Sequence, residues 1–179
     1  DRFWVGDKSW TLQDFLAHVL FQNKNKTVLE LSLGRGLRAL RTDNNESVPG
    51  FDRRLDETGI AGLLNAVEVQ MLSGRSVALV VPYANTLLPN GETQFLSVDE
   101  RVTLTTLHRW SLDIDIAKQD ALVILIAESL VEINQALVSN PRVATVEIPI
   151  PDHKERAHAI RCSAPNMPEQ QVQVLAEQM

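Results

Sequence analysis

Three clusters hold the side chains in this sequence that could do chemistry, and each stands at the end of a run with strand character. Leu33-Gly34-Arg35-Gly36-Leu37 closes the run Thr27 to Leu33, Pro82-Tyr83-Ala84-Asn85 follows Val77 to Val81, and Glu128-Ser129 follows Ala121 to Ala127. Ligands of open α/β sheets bind at the carboxyl ends of the strands, so Gly34, Arg35, Gly36, Tyr83, Asn85, Glu128 and Ser129 form a candidate crevice. The glycines permit close backbone approach. Arg35 can grip an anion bidentately, and Asn85 can donate a hydrogen bond but cannot serve as a general base. Each cluster also has a plainer reading. A short Gly-x-Gly serves as a turn leaving a strand, and Ser129 with Glu132 three places on has the spacing of a capping box opening a helix to Val138.

Other reactive residues are scattered. His18, His108, His153 and His158 are dispersed, and the last two are five apart, so they do not share a helix face as i, i+4 ligands would. Cys162 has no C-x-x-C partner and no evident base, and no Gly-x-Ser-x-Gly elbow is present. Asp113, Asp115 and Asp120 read as a solvated loop with at most weak cation binding. Phe3, Trp4 and Trp10 form an aromatic group with no strand of their own to bury them, while Trp110 reads as core.

The elements that must position these residues are legible from periodicity. Leu12, Phe15, Leu16, Val19 and Leu20 make a helical stripe behind a Ser9 cap. Leu37 to Arg41 reads as a short second strand, and Asp43 to Arg54, with Asn44-Asn45 and Pro49-Gly50, as a polar loop. A helix from Asp56 carries Ile60, Leu63, Leu64, Val67 and Met71 and stops at Ser73-Gly74. Val77 to Val81 and Ala121 to Ala127 are continuous apolar runs, as strands buried on both faces show. Ser97 and Glu100 form a capping box, and Asp152 caps a helix over His153 to Arg161. Val143 to Ile148 reads as the last strand, and Pro165 to Pro168 as a linker into a final helix from Glu169. Apolar strands alternating with amphipathic helices predict a three-layer α/β domain, a parallel sheet with helices on both faces.

At 179 residues and 44% hydrophobic composition, the chain is long enough for one well-buried core. A net charge of −6 with no basic face argues against nucleic-acid binding. A single cysteine precludes an internal disulfide, and no apolar run reaches membrane-spanning length. These features predict a cytoplasmic protein without nucleic-acid or membrane partners. The start at Asp1 and the end inside a helical pattern lead us to expect a piece of a longer protein.

The second half carries a pattern. The strand Val77 to Val81 and a helix precede a strand ending Ala127-Glu128-Ser129. Asn140-Pro141-Arg142 then leads a further strand, and Ile148-Pro149-Ile150-Pro151-Asp152 precedes Lys154-Glu155-Arg156. Over Asp56 to Arg161 this resembles the AAA+ ATPase core, a P-loop NTPase fold. The matching parts are the Walker B strand, the sensor 1 strand, an arginine at the subunit edge (here Arg142) and the entry to the lid. It is similar in particular to the front, degenerate module of bacterial and plastid AAA proteins of the Ycf-type, in which an intact ATPase module follows.

The resemblance implies residues that this sequence lacks. Phosphate binding needs G-x-x-x-x-G-K-[ST], and no glycine here precedes lysine. Walker B should end in Asp-Glu to hold magnesium and activate water, yet Pro82-Tyr83-Ala84-Asn85 contains no carboxylate. The expectation is a non-catalytic AAA+-like domain over residues 1–162, with 163–179 a linker and the start of a lid-like helical segment. It would serve assembly, regulation or partner binding beside a downstream AAA+ module, a homo-oligomer or a protein client. ATP and magnesium would belong to the full-length protein, with no cofactor or metal in this domain. Arg156 is expected to pair with Asp152. The alternative is a small-molecule or nucleotide-binding domain using the strand-end crevice.

Overall fold

The computed structural model describes residues 3–6, 8–22, 24–42 and 53–178. It divides into two compact units, one of Leu16–Ala144 and one of Asp1–Phe15 with Thr145–Met179.

The larger unit is built on β3 (Thr27–Ser32), β4 (Gly36–Arg41), β5 (Val77–Val81) and β6 (Ala121–Leu125), in the order β4-β3-β5-β6. β3, β5 and β6 are mutually parallel, as expected from the strand–helix rhythm. The short second strand departs from that expectation. Only three residues separate β3 from β4, too few for a crossover, so β4 returns antiparallel and the sheet is mixed.

Side-chain alternation sorts the sheet into two faces. Leu29, Leu31, Leu37, Val77, Leu79 and Val81 enter one core with α2 (Leu55–Leu72), α3 (Val98–Leu112), α4 (Ile114–Lys118) and α5 (Gln135–Val138). Leu63, Leu64, Val67 and Met71 of α2 are essentially inaccessible, each contributing roughly 1.5–3 kcal/mol of burial. Val28, Ala78 and Val80 point to the other face and are equally buried. A π-helical turn, Leu16–Leu20, contacts β4. Arg41 fixes that turn by donating to the carbonyls of Ala17, Phe21 and Gln22.

Caps decide where the helices begin. Ser97 and Glu100 form the expected reciprocal box at α3. α2 has no side-chain cap at Arg54 and is interrupted at Gly59, whose φ of 63° separates its first turn from the rest. The acids at the α3–α4 turn each have a partner. Asp113 accepts from the N–H groups of Asp115 and Ile116, Asp115 pairs with Lys118, and Asp120 pairs with Lys26 and Ser76. Ser76, followed by Lys26, holds the Asp120 carboxyl below the usual carboxylate range.

Two expected elements differ. Ala121–Leu125 is the edge of the sheet, not a doubly buried strand, and Leu122 is 42% exposed. Val143 to Ile148 forms no regular element and pairs with no strand among the described residues, and all of it is exposed. The polar loop of Asp43 to Arg54 lies, up to residue 52, outside the described residues.

The smaller unit holds the hairpin β1 (Phe3–Val5) and β2 (Lys8–Trp10), with α1 (Leu12–Phe15), α6 (His153–Ser163) and α7 (Glu169–Gln178). The N-terminal aromatic residues therefore have strands of their own, Phe3 opposite Trp10 and Trp4 opposite Ser9. Because Lys8–Trp10 is strand, the helix cap moves from Ser9 to Thr11, whose Oγ1 accepts from Asp14 N–H at 3.1 Å. Asp152 and Glu155 form a capping box at α6. Arg156 does not take Asp152 as its side-chain partner. Its guanidinium donates to the carbonyls of Ala176 (2.8 Å) and Pro151 (2.5 Å), closing the end of α7 onto α6. Ala157, Val172 and Ala176 pack between these helices, and Arg161 grips Glu169 bidentately at 3.1 and 2.6 Å.

Two predictions follow from these ion pairs. Glu30, 3% exposed, accepts from Arg38 at 2.9 and 3.0 Å directly across the β3–β4 ladder. Arg38→Ala leaves that carboxylate buried and unpaired, and is expected to lower the urea-unfolding free energy by about 3 kcal/mol. Replacing both residues by Leu should recover most of it. In the smaller unit Arg161 depresses Glu169 from 4.5 to about 2. A depressed carboxylate stabilises the fold above its unfolded value and loses that effect as pH falls through the folded one. Amide exchange in α7 should accelerate between about pH 4.5 and 2, beyond the intrinsic pH dependence, and Glu169→Gln should remove that step.

Candidate functional site

The carboxyl ends of the parallel strands are closed largely by the chain itself. After β3, Leu33, Gly34 and Arg35 form a hairpin loop, not a loop entering a helix. Gly36 has φ of +74°, and a Cβ there would stand 2.1 Å from the Arg53 carbonyl oxygen. Leu37 exchanges two backbone hydrogen bonds of 2.9 Å with Arg53, drawing the start of α2 against the hairpin. The second glycine thus serves the close passage of backbone on backbone.

After β5, Pro82 is buried, and Tyr83 takes a left-handed conformation (φ 52°) with its side chain 66% exposed. An aromatic residue adopts that conformation at a cost of roughly 1 kcal/mol. The Tyr83 carbonyl accepts from the N–H (2.9 Å) and hydroxyl (2.7 Å) of Thr86, forming a 3₁₀ turn over Ala84–Thr86. Ala84, Leu87 and Leu88 then plunge into the core. Asn85 is half-buried in this turn.

After β6 the chain is sewn to the β5 loop. Ile126 N–H donates to Val81 (2.9 Å), Ala84 N–H to Ile126 (2.8 Å), Asn90 N–H to Glu132 (2.8 Å) and Asn134 N–H to Leu88 (3.0 Å). Glu128 is exposed and Ser129 is half-buried. The expected Ser129/Glu132 box does not form, because residues 130–132 make only a 3₁₀ turn and Ser129 caps nothing with its side chain. Asn134 does the capping instead, its Oδ1 accepting from Ala136 N–H and its Nδ2 donating to Gly91. Sequence reasoning passed over this residue, although Asn followed by a helical stretch is a recognised start signal.

The seven candidates do not line one pocket. A depression of about 500 Å³ is bordered by Leu33–Gly36 and by Arg54, Leu55 and Asp56 at the start of α2. Tyr83, Asn85, Glu128 and Ser129 do not border it. Arg142 is exposed, its backbone N–H bound to Asn140 Oδ1 at 2.9 Å. Among the described residues no three His, Cys, Asp or Glu side chains group as metal ligands, and no helix is long and apolar enough to cross a membrane.

Two arrangements escaped the sequence. A mainly apolar groove of about 640 Å³ runs along α3, past Leu104, His108, Arg109 and Leu112. At its side Glu68 receives both Arg109 Nη groups (2.7 and 2.5 Å) and the Trp110 indole N–H (3.0 Å). The Arg109 bond, with the indole, holds the Glu68 carboxyl below the usual range against the effect of burial. In the smaller unit His158 Nε2 lies 3.6 Å from Cys162 Sγ and 3.4 Å from the Gly6 carbonyl. The i, i+4 spacing on α6 gives the thiol a neighbouring base, which the sequence reading had not identified.

Gly36→Ala combines a left-handed backbone with a steric collision. It is expected to destabilise the larger unit by about 3 kcal/mol in urea unfolding, whereas Gly34→Ala, with open space at its Cβ position, should be nearly neutral.

Known proteins place this geometry. A search of curated proteins finds no match to the chain. Among solved structures it resembles a chain of the E. coli MS115-1 HORMA:CdnC:Trip13 complex, with a TM-score of 0.54 and 13% sequence identity, over 89% of this chain. It spans 60% of that chain's length, and at this identity the likeness concerns the fold. The family model for the N-terminal Rossmann-like domain of AAA+ chaperones matches residues 1–149, and the chain belongs to that family.

Proposed function

We propose that this domain is a non-catalytic, partner-binding or regulatory module at the front of a larger AAA+ protein, of the kind found in Ycf-type AAA proteins. Membership of the AAA+ chaperone N-terminal family supports the placement. The observation that carries the reading is the closure of the strand ends. Leu33–Arg35 form a hairpin loop where a phosphate loop would have to rise. β5 ends in buried Pro82 and left-handed Tyr83 where magnesium and water would need carboxylates. The structural neighbour belongs to a complex of HORMA, CdnC and Trip13, which is in keeping with a protein-binding role. ATP and magnesium then belong to another module of the full-length protein, and the partners of this one are that module and a protein client.

The second reading is an anion or nucleotide site, favoured by the depression in which Arg35 stands beside Arg54 and the first turn of α2. One titration separates the two. Calorimetry of the 179-residue chain with ATP, with and without magnesium, should show no binding in the micromolar range. Magnesium-dependent micromolar affinity overturns the first reading. Weaker binding lost in Arg35→Ala supports the second.

A further inference from the structure

β6 and the segment that follows Asn140 have complementary deficits. β5, Val-Ala-Leu-Val-Val, is buried at all five positions, whereas β6, Ala-Leu-Val-Ile-Leu, is buried at none. Its composition is that of an interior strand, yet it ends the sheet, and among the described residues nothing pairs with its outer edge. Natural edge strands are guarded by charges, prolines or bulges, and β6 has none of these. Eighteen residues beyond its end begins a segment of strand composition that forms no regular element and joins no sheet among the described residues. Val146, Ile148 and Ile150 recur at every second position and are 84%, 53% and 87% exposed, while the single charge of the stretch, Glu147, falls on the opposite side. Pro149 and Pro151 limit the part able to join a ladder to Val143–Ile148.

Each copy of the chain therefore presents one strand edge that is unfilled among the described residues and one segment of strand composition outside any sheet. In its own chain the segment follows a turn in which the Asn140 side chain donates to Ser111 Oγ at 2.8 Å and the Val143 N–H donates to the Asn140 carbonyl at 2.9 Å, and from Ala144 to Ile148 it joins no ladder. We propose that the outer edge of β6 accepts the Val143–Ile148 segment of a second copy of this chain. Main-chain hydrogen bonds would supply the pairing, and Val146 and Ile148 would cover the half-exposed apolar residues of β6. Donor and acceptor are different surfaces, so the contact closes either by reciprocal exchange between two copies or as a head-to-tail ring. This inference is independent of the nucleotide question.

The test uses the 179-residue chain in a Cys162→Ser background. Isotopically light Leu122→Cys protein is mixed with heavy Val146→Cys protein and treated with a short bismaleimide. The expected result is a light–heavy cross-link together with self-association by sedimentation. Val146→Pro should weaken that association at least about tenfold without shifting the thermal unfolding of the chain, because the residue is exposed and unpaired. A monomer up to about millimolar concentration, an absent light–heavy cross-link, or association indifferent to Val146→Pro each overturns the proposal.

Discussion

The ammonium group of Lys26 is 3% exposed, and a buried cation must be met by hydrogen-bond partners or the fold does not form. It donates to the Asp120 carbonyl at 2.7 Å and pairs with the Asp120 carboxylate at 2.9 Å. Lys26 immediately precedes β3 and Asp120 immediately precedes β6, and β5 lies between them. The Ser76 hydroxyl also donates to Asp120, just before β5 begins. The amino ends of all three parallel strands are thereby aligned at one point. From there the register follows, Thr27 beside Val77 and Val77 beside Ala121, and with it the residues that emerge at the far end.

At that far end the loops after β5 and β6 satisfy much of each other's backbone. Backbone bonds link the loops after β5 and β6, and Asn90 and Asn134 reach across with their side chains. Such lacing ties the two loops to each other at the end of the sheet where related folds hold a substrate. Polar residues at this end stabilise loop geometry, and those along α3 stabilise packing. Glu68 illustrates the second role by satisfying the indole of Trp110, a core residue 4% exposed.

Much of this architecture was legible in the sequence where local chemistry decides the outcome. The box at Ser97 and the cap at Asp152 formed because both partners lie within one turn. β5 was recognisable because burial on both faces demands an uninterrupted apolar run. Where nonlocal context decides, the reading failed. The direction of β4 depends on loop length, and the status of β6 depends on what lies beside it, so the same apolar pattern served for an interior and an edge strand. Ser129 had a suitable partner at the right spacing, yet the chain prefers Asn134, which also binds Gly91 and so gains from a contact 43 residues away. Of the candidate site, the sequence located the strand ends. It could not show that Gly34–Gly36 and Tyr83–Asn85 would border different features.

The interruption of α2 at Gly59 bears on how the depression beside Arg35 can attract charge. Peptide dipoles reinforce one another only along a continuous run, and the positive end of their field lies at the first turn of that run. Gly59 breaks the alignment after four residues, so the long part of α2 directs its field from Ile60. The turn facing Arg35 and Arg54 has little axial field of its own, and Asp56 within it opposes an incoming anion. Whatever binds there meets two arginine charges, screened by salt and one of them (Arg54) already 3.6 Å from the Asp56 carboxylate, in place of a fixed helical dipole.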